Sequence, residues 1–184
     1  MKFIFNKRFL KRLFRHLFIL PNAVNQHFSH EAMRRIEAAI AKSETAHLGE
    51  IRFAVESNLH VLDIFKRKSA KKRAIEVFSN LRVWDTEQNN GVLIYLLLAD
   101  HDFEILADRG IHFHVGKDGW ESVCHEMEAM FKHGQFEAGV LYGVKKIGEM
   151  LVQHYPVTGG SSGENAAHST ADNVNELSDA PVVL

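Results

Sequence analysis

A chain of 184 residues, 46% apolar and 24% charged, is read as one globular domain with tails, long enough to bury a sizeable core. The formal net charge of −1 argues against a protein that binds nucleic acid over its whole surface. The single cysteine, Cys124, excludes an intrachain disulfide and any metal knuckle built from cysteines.

The near-neutral balance hides an asymmetry. Lys2, Lys7, Arg8, Lys11, Arg12 and Arg15 precede the first acid, Glu31, whereas beyond Pro156 there are only acids: Glu164, Asp172, Glu176 and Asp179. Residues 1–26 therefore form a basic segment. Its longest apolar run, Leu17 to Leu20, is closed by Pro21. That is short of the roughly 7–15 residues of a secretory-signal core and of the roughly 20 that span a bilayer. Phe9/Leu10, Leu13/Phe14 and Leu17/Phe18 recur at helical spacing, with the basic residues opposite. Such an amphipathic helix over residues 7–20 fits an anionic membrane surface; it equally fits docking on its own domain with its charges in water.

Ser29 can cap a helix running to about Ala46, with Met33, Ile36 and Ile40 on its apolar face. Glu50 to Glu56 alternates and predicts the first strand; Ser57 to Phe65 follows as a loop. A helix over roughly Ser69 to Val83 turns Ala70, Ala74, Val77, Phe78 and Leu81 inward. The cluster Lys66, Arg67, Lys68, Lys71, Lys72 and Arg73 at its start could hold phosphate, but a solvated basic face explains it better. No aromatic residue interleaves with these charges, which makes nucleic acid an unlikely partner.

Val92 to Leu98 is an uninterrupted apolar run of strand length, the mark of a strand covered on both faces. Ala99 to Asp102 breaks it, and Phe103 to Ala107 resumes, so the two strands are antiparallel neighbours. Ile111 to Val115 is ambiguous. Asp118 with Glu121 resembles a capping box opening a helix to Lys132 that Gly134 ends. Cys124 falls on its apolar side as an inert thiol. The last helix covers about Phe136 to Tyr155, and residues 157–184 have the composition of a disordered acidic tail.

These pieces predict an α/β/α sandwich: a small mixed sheet with helices on both faces, spanning residues 27–156. A helical crossover makes the 50–56 and 92–98 strands parallel. Glu50, Asp85, Glu87, Asn89, Asn90, Asp108 and Asp118 then gather on one rim. Oxygen donors without His or Cys suit a hard cation, Ca²⁺ or Mg²⁺, although carboxylates also cap helices and fill turns. The histidines, among them His101, His112, His114 and His125, lack zinc-site spacing.

The stretch from about Phe28 to Pro156 resembles the TPM-domain family. The resemblance rests on Gly49-Glu50-Ile51-Arg52, Asn89-Asn90-Gly91-Val92-Leu93-Ile94, Glu104-Ile105 with Asp108-Arg109-Gly110, the Asp118 helix start, and Phe131 to Gly139 with Gly134-Gln135-Phe136. The Asn-Asn-Gly-Val-Leu element is the most specific. The family implies helices around a small mixed sheet, a divalent cation held by acidic loops and, for some members, weak acid phosphatase activity. Carried over residue by residue, the cation would be held by Asp85, Asn90, Asp108 and Asp118, with Asp108 as the catalytic candidate. Two functions are expected from this. The first is an interaction or assembly module with an unidentified protein partner, cytoplasmic and peripheral at the inner face of the membrane. The second is a metal-dependent phosphomonoesterase.

Overall fold

The computed structural model describes residues 7–20, 22–157 and 175–184. In chain order the elements are α1 (Lys7–Phe18), α2 (Ala23–His27), α3 (His30–Glu44), β1 (Ile51–Glu56), α4 (Val61–Phe65), α5 (Ala70–Asn80), β2 (Val92–Leu97), β3 (Asp102–Ala107), α6 (Arg109–Lys132), α7 (Phe136–His154) and β4 (Val182–Val183). The sheet order is β3-β2-β1-β4. β1 and β2 are parallel from Ile51↔Val92 to Glu56↔Leu97, while β2 and β3 are antiparallel from Val92↔Ala107 to Leu97↔Asp102.

The unbroken apolar sequence of β2 follows from its position. Val92, Ile94 and Leu96 join Ile51, Phe53 and Val55 in a core closed by Ile36 and Ile40 of α3, Met127 of α6 and Val140, Val144 and Ile147 of α7. The alternate residues Leu93, Tyr95 and Leu97 enter a second core with Ala54, Ile64 of α4, Ala70, Ala74 and Val77 of α5, and Phe9 and Leu13 of α1. Helices thus cover both faces, as the sequence pattern predicts. Ser29 caps α3 through the Ala32 amide, and Ser69 caps α5 through the Lys72 amide.

Three expectations need correction. The segment 111–115 is helical: α6 starts at Arg109, behind Asp108 as its N-cap, and Gly116 breaks it at φ 68°. That break divides the span into two helices across a kink, and Asp118 stands in the first turn of the second, close to the helix start that the sequence predicts. The Ser57–Phe65 loop contains α4, started by His60 accepting from the Leu62 amide. The tail assigned to disorder over 157–184 does not stay loose throughout, since residues 175–184 return to the sheet and β4 pairs in parallel with β1. Composition obscured this: Leu177 and Val182 are few among polar residues, yet both pack on the second core. The rest of that stretch, 158–174, lies outside the described residues.

Candidate functional site

The hairpin brings Asp108 back to the start of β2, where its amide donates to the Gly91 carbonyl at 2.8 Å. Each residue of the Asn89-Asn90-Gly91 element fastens a different neighbour at this corner. Asn89 sits in the left-handed region (φ 54°), where its carbonyl accepts from the Ile111 amide and its Oδ1 from Arg109 Nε at 3.0 Å. Asn90, fully buried, donates its backbone amide to Thr86 Oγ1 at 3.1 Å and its Nδ2 to the Leu48 carbonyl at 2.9 Å. Asp108 Oδ1 accepts from the Arg109 amide at 2.7 Å. Two oxygens remain, Asn90 Oδ1 and Asp108 Oδ2, both buried and without a hydrogen-bond partner. Gly110 lies close against the turn: a Cβ there would meet Asn89 O, Tyr155 Oη and Gln88 O at 2.5, 2.8 and 2.9 Å. Buried orphan acceptors are costly unless something donates to or coordinates them.

The rim expected from the sequence assembles only in part. Asn90 and Asp108 meet at the same end of the sheet. Asp85 is exposed and paired with Arg82. Asp118 is exposed and more than two turns along α6 from Asp108. Among the described residues, no group of three or more His, Cys, Asp or Glu side chains converges as a metal cage. Any cation at this corner would thus depend on Asp108 Oδ2, Asn90 Oδ1 and backbone carbonyls.

One pair has the outline of a hydrolytic dyad: Ser43 Oγ lies 2.9 Å from His47 Nε2, and His47 Nδ1 is 3.0 Å from the Gly49 carbonyl. The hydroxyl packs on Gly148 of α7, where an added Cβ would collide with it. The pair fastens the end of α3 to the approach to β1. Burial pushes the Cys124 thiol up to about 11, in line with an inert cysteine.

The N-terminal helix docks through polar groups. His16, 3% exposed, accepts from the Leu59 amide at Nδ1, so Nε2 carries the proton toward Asp100 Oδ1 at 3.1 Å. Arg12 adds hydrogen bonds to both Asp100 oxygens and to the Lys68 carbonyl, and Arg15 reaches Asp100 at 3.2 Å. Burial alone would raise the Asp100 carboxyl; His16 and Arg12 overcome it and hold the group well below the usual carboxylate range. With Phe9 and Leu13 also turned inward, the remaining apolar residues face out: Leu10 is 40%, Phe14 57%, Leu17 51% and Phe18 73% exposed. The Phe14 and Phe18 rings stack at 5.6 Å, and Lys7 and Lys11 are exposed on the same helix.

Sequence reasoning missed a group of buried charges between α3, β1 and residues 175–184. Glu44, Glu50 and Arg52 are each more than nine-tenths buried. Glu44 Oε1 accepts from the Ile51 amide at 2.8 Å, and Glu50 accepts from the amides of Glu176 and Leu177 at 3.0 and 3.3 Å. Burial pushes Glu50 up to about 7 against the pull of those two amides. It pushes Glu44 up to about 9, opposed by the Ile51 amide and reinforced by Glu50 and Asp179. Nothing in the strand pattern announces this, because Glu50 and Arg52 read as the solvent face of an alternating strand.

A pH dependence follows. The folded protein holds these protons more tightly than the unfolded chain, whose glutamates titrate near 4.5. Stability is thus fully present below about pH 4.5 from these groups, and is lost as pH rises through about 7 and then 9. The midpoint of thermal unfolding should fall by about 5 °C or more between pH 5 and pH 9. Glu50→Gln should flatten the slope below pH 8; an unchanged slope would mean that Glu50 is ionised throughout.

Comparison with known proteins adds two findings. A family model described as the TPM domain matches residues 24–150. The chain is also similar to the BA42 protein of the psychrophilic bacterium Bizionia argentinensis sp. nov., whose NMR structure superposes with a TM-score of 0.70 at 29% identity, over 85% of this chain and 95% of that one. No curated protein matches the chain.

Proposed function

The chain belongs to the TPM-domain family, and from that premise we propose that it is an interaction module seated on an anionic membrane surface through α1. The observation carrying this reading is the orientation of α1. Its polar residues Arg12 and His16 are spent on Asp100, and its apolar stripe Leu10, Phe14, Leu17 and Phe18 is turned to the outside beside Lys7 and Lys11. A contiguous exposed apolar stripe rimmed by charge marks an interaction surface. At an anionic interface, each large apolar side chain contributes about 1.5–3 kcal/mol when buried, and each nearby cation about 1 kcal/mol. Among the described residues no helix is long and apolar enough to cross a membrane, so α1 would lie in the surface. The charge sign suits the anionic leaflet that faces the cytoplasm, where a protein partner of the module would be met.

Sedimentation with vesicles tests the proposal. The full chain should pellet with phosphatidylserine-containing vesicles, less so with added salt, and weakly with neutral ones. Phe14→Glu/Phe18→Glu should reduce the bound fraction at least tenfold. Equal partition of variant and wild type would overturn the assignment of α1.

The orphan oxygens favour a second property of the same module, a Ca²⁺ or Mg²⁺ ion at Asp108 and Asn90, since hard cations take carboxylate, amide and carbonyl oxygens. Calorimetric titration of chelator-stripped protein should show saturable binding that Asp108→Asn abolishes; identical titrations of the two would remove the site. A cation there would polarise a phosphoryl oxygen, which keeps a slow phosphomonoesterase as the alternative function, with Asp108 orienting the attacking water. Chelator-sensitive release of phosphate from an aryl phosphate, lost in Asp108→Asn, would establish that alternative, and activity surviving both would exclude it.

A further inference from the structure

Residues 175–184 occupy the outer edge of β1 in a manner that reads their sequence. The ladder is short, Ala54↔Val182 and Val55↔Val183, extended by the Leu184 amide donating to the Val55 carbonyl at 3.0 Å. Most of the discrimination comes from side chains around it. Glu50 receives two successive backbone amides, those of Glu176 and Leu177. The Glu176 carboxylate in turn accepts from the Glu87 amide at 3.0 and 3.3 Å. Leu177 and Val182 enter the second core. Arg52, on the neighbouring strand and 7% exposed, has Nε and Nη1 buried and without hydrogen-bond partners; the charges of Asp179, Glu44 and Glu50 act on it favourably against its burial. A buried guanidinium short of partners is expensive unless a carboxylate is brought to it. Vacated, this edge would present the unpaired backbone of Ala54 and Val55, an open apolar notch and an arginine that has lost the charge of Asp179 and keeps those of Glu44 and Glu50.

We propose that the outer edge of β1 is a peptide-acceptor site. It takes a short segment in which two amides meet Glu50, a leucine fills the notch, an acid faces Arg52 and a β-branched residue joins the ladder, and residues 175–184 are its occupant in cis. The recognition mode is strand addition, with main-chain bonds giving affinity and side-chain pockets giving selectivity. The chain between Val157 and Asn175 can span at most about 60 Å, so the tethered segment competes with any free peptide at a local concentration on the order of millimolar. This inference uses neither the membrane face of α1 nor the Asp108 corner, and it stands or falls apart from both.

The test is a fluorescence-anisotropy titration with a labelled peptide of residues 175–184. The receptor is the full chain carrying Leu177→Asp and Val182→Asp, which releases its own segment. Saturable binding is expected, at least tenfold tighter than to the wild-type chain and at least tenfold tighter than binding of the peptide carrying Val182→Asp. Absence of saturable binding to a folded double variant, or equal binding of the two peptides, would overturn the proposal. Should the double variant fail to fold, the wild-type chain bearing an environment-sensitive dye on Ser178→Cys gives the same answer. Excess natural peptide must shift its signal by displacing the segment and the Val182→Asp peptide must not; no displacement, or displacement by both, refutes the site.

Discussion

Glu56→Ala is expected to lower the stability of the domain by about 3–5 kcal/mol, the range for removing one partner of a buried ion pair. Glu56 closes β1 and faces the second core, 7% exposed. Arg73 of α5 binds both its oxygens, Nε at 2.8 Å and Nη2 at 3.1 Å, and Tyr95 Oη donates to it at 2.6 Å. Tyr95 is fully buried, and burial together with Glu56 raises its hydroxyl far above the usual range. Alanine at position 56 takes the acceptor from the tyrosine hydroxyl and reduces Arg73 to its 3.3 Å ion pair with Glu76 and the neighbouring Tyr95 hydroxyl. The loss is larger than the pair's net worth, since the cost lies in the partners left behind. Glu56→Gln keeps an acceptor for both and should cost less, and Tyr95→Phe, which removes a donor while filling the space, about 1 kcal/mol. Urea unfolding of the three variants should return that order; Glu56→Ala within 1 kcal/mol of wild type would show that water replaces the carboxylate.

Much of this architecture is written in hydrophobic period. The run Val92 to Leu97, the break at Ala99 and the crossover through α5 are enough to place β3, β2 and β1 in order and to bring Asp108 beside Gly91. The period fails where a few residues act out of character. Gly110-Ile-His-Phe-His-Val has β-like composition, yet the Asp108 cap and the packing of Ile111, fully buried, make it the first turns of α6. Phe113, 85% exposed, adds apolar weight to that stretch without contributing to any core. Glu50 and Arg52 occupy positions that alternate as if toward water, yet both are buried where residues 175–184 return to β1. That return could not be foreseen, because two-residue ladders and single apolar anchors leave no periodic trace. The candidate corner was half legible for the same reason: strand register fixes Gly91 against Asp108 and so brings Asn90 to the same end, whereas Asp85 and Asp118 lie on a turn and a helix whose directions the strands do not determine.

Gly91→Ala should destabilise the protein by about 3 kcal/mol or more, at the upper end of what overpacking costs. The reason is what a methyl group would meet: the backbone carbonyl of Val83, with Val83 Cγ1 at 3.0 Å as well. Neither side can yield cheaply. Val83 is fully buried and its amide donates to the Phe78 carbonyl at 3.0 Å. Gly91 is held by the Asp108 amide on its carbonyl, and the next residue, Val92, donates to the Glu50 carbonyl at 2.8 Å. Gly134→Ala makes the natural contrast. Gly134 is at φ 73° with open space around it, so alanine there meets only backbone strain of about 1 kcal/mol. Gly139→Ala falls between, because it meets the Phe131 ring, a partly buried side chain and not backbone. Thermal melts should therefore rank the variants 91, 139, 134 in decreasing damage. Relief of the Gly91→Ala clash by a shift at the start of β2 would disturb the neighbouring Asn90, whose Nδ2 donates to the Leu48 carbonyl at 2.9 Å. A variant still folded at low temperature should consequently lose cation binding along with stability. Retention of full binding by such a variant would show that the Asn90 side chain does not take part, leaving Asp108 and the carbonyls of the Gln88–Asn89 turn as the whole of the corner.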